Sequence, residues 1–174
     1  MGKLKECECG DLFEPVRRPN STIKSKKCFK CLISGQKHKE LKEKCKKLSE
    51  YKAEARKVFQ AWVRLRDKNE SCISCTRTEA KQWDGGHYLK AEIYSGLIFD
   101  EDNCHKQCSY CNDYLQGNPA DYRQNLLKRI GLTRLIWLEQ NKDRLRLYKY
   151  SKEELIKIKN SYQLKIIELK TLSK

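Results

Sequence analysis

The chain has 174 residues, 38 basic against 23 acidic, for a formal net charge of +15. Hydrophobic residues make up 39% and charged residues 35%, which argues against one large core and favours small modules held by metal. A field of that sign attracts polyanions, nucleic acid foremost, and no apolar run reaches the roughly 18–20 residues of a membrane span.

The first residues, Met1 to Cys7, lack the apolar stretch of a secretory signal. Ten cysteines, several in C-x-x-C pairs within a Lys-rich chain, therefore point to zinc in a reducing cytoplasm rather than to secreted disulfides. Residues 1–34 hold Cys7, Cys9, Cys28 and Cys31 around a polar, Pro-containing loop. They read as a zinc-knuckle module with a second zinc site, although Cys-x-Cys is a tighter spacing than usual.

Residues 35–70 read as a basic amphipathic helix. The stretch from Ser34 to Glu70 has twelve basic and six acidic residues. Tyr51, Ala55, Val58, Trp62 and Leu65 recur at steps of four and three, the mark of one apolar helix face. The polar face, with Lys42, Lys46 and Lys47, is either a solvated surface or a track for DNA phosphates.

Residues 71–118 form a cysteine-bounded core. Cys72/Cys75 and Cys108/Cys111 are two C-x-x-C knuckles with 32 residues between them, able to offer four thiolates to one tetrahedral zinc. Gly86-His-Tyr-Leu89 is strand-like, Asn103 to Gln107 a second strand, and Ser109 to Gln116 a short helix. That order places His87 and Asn112 on facing elements.

A neutral imidazole accepts a proton near pH 7, so His87 is a candidate general base. Asn112 offers an amide oxygen and Asp84 a carboxylate, which suits Mg²⁺ or Mn²⁺. Asp84 reads equally as a turn residue before Gly85-Gly86. His105 is open between a further ligand of that ion, a phosphate contact and a hydrogen bonder around the zinc. Lys90, Lys106 and Arg123 are candidate phosphate contacts. Cys45 and Cys104 fall outside the pairs and default to small buried apolar roles.

Residues 119–174 read as helical: Asp121 to Ile130, stopped by Gly131, then Thr133 to Gln140. Ser151-Lys-Glu-Glu154 is a capping-box start. The helix after it carries Leu155, Ile158, Tyr162, Ile166 and Leu169 along one face, a seam that either docks on the core or pairs two chains as a homodimer.

The words Gly86-His-Tyr88, Cys72-Ile-Ser-Cys75 and Cys111-Asn112 resemble the ββα-metal (HNH, His-Me finger) nucleases. The core is similar to phage endonuclease VII, which also has an Asn directly after its last zinc cysteine. With Gln82-Trp-Asp84, His105-Lys-Gln-Cys108 and Arg129-Ile-Gly131, the resemblance is closer to the NinG/Rap recombination nucleases of lambdoid phages. It implies an α+β protein with a zinc-stapled ββα-metal core. It also implies a DNA endonuclease using Mg²⁺ or Mn²⁺ on Holliday junctions and D-loops in the cytoplasm of a bacterial host. By the same resemblance Asn103 pins the loop backbone and orients the His87 ring, so that His87, Asn103 and Asn112 form the catalytic set. HNH enzymes commonly carry an acid immediately before the base, where Gly86 stands here. Two rivals remain: a non-catalytic zinc protein that binds nucleic acid, and an HNH nuclease that cuts ordinary duplex.

Overall fold

The structure is a computed structural model that describes residues 5–6, 12–13 and 46–172. It divides into Met1–Lys47 and Leu48–Lys174. In the first unit β1 (Lys5–Glu6) pairs antiparallel with β2 (Leu12–Phe13), Lys5 opposite Phe13. Cys7, Cys9, Cys28, Cys31, Lys42 and Cys45 lie outside the described residues.

The second unit is α+β. Its elements are α1 (Leu48–Arg66), β3 (Trp83–His87), β4 (Cys104–Cys108), α2 (Pro119–Asn141) and α3 (Lys152–Thr171). β3 and β4 form a two-stranded antiparallel sheet running from Trp83 opposite Cys108 to His87 opposite Cys104. Among the described residues no helix is long and apolar enough to cross a membrane.

The basic stretch 35–70 is not one described helix, since α1 spans only Leu48–Arg66. Its buried side chains are Tyr51, Ala55, Phe59, Trp62 and Val63. Of the expected stripe, Tyr51, Ala55 and Trp62 are among them, while Val58 and Leu65 are half-buried. The buried face is wider and rotated because α1 serves two neighbours, the sheet and α3.

The α3 seam docks on α1 of its own chain. Leu155 joins Tyr51 and Ala55, while Tyr162, with Ile166 and Leu169 alongside, packs on Phe59, Trp62 and Val63. Phe59 and Tyr162 meet edge to face with ring centroids 4.8 Å apart. The capping box forms as expected: Glu154 N–H donates to Ser151 Oγ at 3.1 Å, and Ser151 N–H donates to Glu154 Oε2 at 2.7 Å.

α2 loses helical geometry at Gly131, where φ is 78° and ψ 163°, and resumes beyond it. Glycine bears that positive φ without a Cβ clash. Tyr122, Leu126, Leu135 and Leu138 from both halves bury against Ile73 and Leu97.

β3 begins at Trp83, three residues before the expected start at Gly86. A turn at Asp84 before the two glycines was the alternative, but Asp84, Gly85 and Gly86 are all strand residues, and both glycines sit at points of close approach. A Cβ on Gly85 would lie 3.1 Å from Gln60 Cγ of α1. After β4 the chain makes one π-helical turn, Tyr110–Tyr114, shorter than the helix expected over Ser109 to Gln116.

Candidate functional site

The first knuckle is a tight turn. Cys72 N–H donates to Arg77 O at 2.9 Å and Thr76 N–H to Cys72 O at 3.0 Å, with Thr76 at a φ of 57°. The second arrives on β4, where Cys108 N–H donates to Cys72 Sγ at 3.4 Å. The Sγ atoms of Cys72, Cys75, Cys108 and Cys111 all lie within 4.8 Å of one another. Cys108 Sγ stands 3.7 Å from that of Cys72 and 3.8 Å from that of Cys75. Sulfurs bound at about 2.3 Å to one tetrahedral zinc are separated by about 3.8 Å. All four are free thiols, and their number, type and spacing fit a metal ion such as zinc. Burial opposes ionisation of Cys75, but the Arg77 amide and the neighbouring thiols bring its pKa down to about 7.

His87 ends β3 in a polar cleft of about 420 Å³. Arg56 and Gln60 of α1, Lys90, Glu92 and Asn112 line the same cleft. His87 Nε2 is 2.9 Å from Ile98 O. A carbonyl only accepts, so Nε2 carries the hydrogen of the neutral ring and Nδ1 keeps its lone pair. Burial lowers the His87 pKa below its ordinary value, with the Ile98 carbonyl opposing. The ring is therefore neutral at pH 7.

Asn103 is fully buried. Its Oδ1 accepts from Leu89 N–H at 2.8 Å, and its Nδ2 donates to Leu89 O and to Leu97 O, each at 3.0 Å. It thereby ties the two ends of the loop that presents Ile98 O to His87.

Asp84 is a strand residue opposite Gln107, so the turn reading is corrected. Its Oδ1 accepts from Gln82 Nε2 at 2.9 Å and its Oδ2 lies 3.5 Å from Asn112 Nδ2. Asn112 also donates to Asp113 Oδ1 at 2.9 Å. The structure thus brings Asp84 to Asn112, and Asn112 to the His87 cleft.

His105 is not brought there. It is buried on β4, with Nε2 3.1 Å from Asp102 O and Nδ1 3.0 Å from Arg66 Nη2. The carbonyl fixes the hydrogen on Nε2, and Nδ1 accepts from the guanidinium. Burial lowers its pKa, and the neutral ring serves as a structural hydrogen bonder rather than any of the three roles expected. Beside it, Asp67 is desolvated by burial, yet Arg66 and the Lys106 amide hold its carboxyl well below the usual range.

Lys106 is also corrected. It is buried, its Nζ donates to Lys68 O at 3.0 Å, and it lies 4.3 Å from the Trp83 ring centroid. Arg123 is exposed but held by both oxygens of Glu139, at 2.7 and 3.1 Å. Lys90 remains exposed at the cleft, whereas Lys46 and Lys47 belong to the first unit. Cys104 packs with Phe59 and Trp62, the buried apolar role expected of it.

Sequence reading missed Arg56, Gln60 and Glu92. Arg56 and Gln60 sit one helical turn apart on α1, and Arg56 Nη2 pairs with Glu92 Oε1 at 3.0 Å. Only the crossing of α1 over β3 makes them part of a site.

Comparison with known proteins identifies the chain's relatives. "Protein ninG" of Escherichia phage 933W is 38% identical over 117 residues, covering 67% of this chain and 57% of the relative. "Protein ninG" of Salmonella phage P22 and of Escherichia phage lambda are each 38% identical over 117 residues, covering 67% of this chain and 56% of the relative. The match thus spans little more than half the length of these relatives. No solved structure matches. A profile of the family described as "Bacteriophage Lambda NinG protein" matches residues 4–172. Profile and relatives agree with the family read from the cysteine and Gly-His words, and the chain belongs to the bacteriophage lambda NinG family.

Proposed function

We propose that the chain is a metal-dependent endonuclease for branched recombination DNA, built on a zinc-stapled ββα-metal centre. The observation that carries this reading is the state of His87. Its Nε2–H is held on Ile98 O at 2.9 Å, leaving Nδ1 of a neutral ring in a polar cleft that Asn112 also lines. Such a nitrogen takes the proton of a water attacking phosphorus. Asn103 acts through His87, by fixing the loop that carries Ile98, and is a positioning residue.

Asp84 and Asn112 fit a hard cation, since turning the Asn112 amide over presents an oxygen on each side chain. Mg²⁺ or Mn²⁺ held there supplies charge that steadies the leaving oxygen. Arg56 and Lys90 provide cations for the flanking phosphates, and a net charge of +15 supports a polyanionic substrate. Preference for Holliday junctions and D-loops, and work in the bacterial cytoplasm, rest on the family resemblance alone. A second zinc at Cys7, Cys9, Cys28 and Cys31 belongs to the same proposal.

Digestion of a synthetic four-way junction, a D-loop and a matched linear duplex, each with Mg²⁺ or Mn²⁺, tests it. Nicking of the branched DNAs by wild type and not by His87→Ala is expected. Equal cutting of duplex would make the protein a general HNH nuclease, and no cutting at all would end the enzymatic reading.

One observation favours a second reading, a non-catalytic zinc protein that binds nucleic acid. Among the described residues the four cysteines are the one group of three or more His, Cys, Asp or Glu placed to hold an ion. That reading expects DNA binding with no cleavage in either metal.

A further inference from the structure

Tyr110 and Tyr114 stand at the surface and stack on each other, ring centroids 5.1 Å apart and planes inclined by 20°. Tyr110 is 48% exposed and Tyr114 76%. The Arg77 guanidinium of the first knuckle lies 5.7 Å from the Tyr110 ring centroid. Their π-helical turn also supplies Asn112 and Asp113 to the His87 cleft. Isolated π turns recur at functional sites.

Exposed aromatic faces forgo the burial that usually stabilises such rings. Here two are aligned, a cation sits against one, and the turn that carries them also lines a cleft read as holding a scissile phosphate. We infer that Tyr110 and Tyr114 form a stacking platform for a nucleobase with an open face, at an unpaired position or branch point. Bases within a duplex have both faces covered, so such a platform selects by structure and tolerates any sequence. It supplies what phosphate contacts cannot, since those reward every duplex alike. The substrate class rests on the nuclease reading proposed above.

The test is a binding titration without added Mg²⁺ or Mn²⁺. A forked DNA carries 2-aminopurine at its first unpaired position, and a fully paired duplex carries the same label. Wild type should quench the fork label. Tyr114→Ala should bind the fork roughly 5- to 100-fold more weakly and lose the quench, while Tyr114→Phe keeps both and duplex affinity is unchanged. Melting temperature and zinc content of each variant exclude a folding defect. Unaltered fork binding and quench in Tyr114→Ala would overturn the inference, as would an equal loss on duplex. Nicking assays on the same DNAs separate the two proposals. A quench that depends on the ring in a protein that cuts nothing sinks the nuclease reading and leaves the platform standing. Cleavage with a quench indifferent to Tyr114 removes the platform alone.

Discussion

A Cβ on Gly86 would lie 2.0 Å from Oε1 of Gln107, so the residue immediately before His87 cannot carry a side chain without displacing Gln107. Gln107 is buried and donates to Ser74 Oγ at 2.7 Å and Gly117 O at 2.6 Å, so it cannot swing aside freely. An acidic side chain has no room at this position, and the carboxylate of the same strand is that of Asp84, two residues upstream. Gly86→Ala should destabilise the zinc-loaded protein by about 1–3 kcal/mol, the usual range for overpacking. Adding Gln107→Ala should return part of that loss, a coupling that urea unfolding of the two single variants and the double variant measures. Wild-type stability in Gly86→Ala would show that the strand yields at no cost.

An ion held by the four thiols would make metal content a folding variable. Cys108→Ser would remove one potential ligand while keeping the backbone amide that meets Cys72 Sγ. Metal binding by a small site is largely folding free energy. One zinc per Cys72/Cys75/Cys108/Cys111 site is expected, with chelation lowering the melting temperature. Cys108→Ser should lose near-UV circular dichroism together with that zinc. A chelated protein that melts like the loaded one would exclude a structural role for the ion.

On the proposed mechanism, His87 sets the acid limb of the pH profile. The proposed role needs the neutral ring, and burial lowers the folded pKa from 6.5. Activity should therefore be full above pH 6.5 and fall as pH drops through the lowered value. His87→Ala should cost on the order of 10²–10⁴ in rate with junction affinity retained. An acid limb centred above 6.5 would assign the titration to another group.

Asp84 and Asn112 should respond as a pair. Asn112→Ala should raise the Mg²⁺ or Mn²⁺ concentration required for half-maximal cleavage while zinc content stays constant. Asp84→Asn should do the same, given the 3.5 Å approach of the two side chains. Metal dependence that shifts in one variant and not in the other would reduce the site to a single protein ligand.

Local spacing carried most of what the sequence disclosed. The C-x-x-C pairs, the Ser151/Glu154 box and the Gly131 break depend on neighbours a few residues apart, and each is visible in the chain itself. The start of β3 was hidden because two glycines signal a turn as readily as a close approach. His105 and Lys106 were misread for a different reason. Their polarity marks an exposed strand, yet β4 is buried along its whole length, and both side chains are satisfied by partners from residues 66–68 and 102. Arg56, Gln60 and Glu92 were invisible because nothing local says that α1 crosses the sheet.

The pairing of α1 with α3 also sets an order of events during synthesis. More than eighty residues separate Arg66 from Lys152, and a ribosome adding about 5–20 residues per second takes roughly 4–17 s to span such a gap. Through that interval Phe59, Trp62 and Val63 wait without the Tyr162 face that will cover them. The knuckles and His87 are made within that interval, while the helix that packs on their strands lacks its outer support. A nascent chain thus holds α1 with its outer apolar face uncovered until α3 has been made and can fold back onto it.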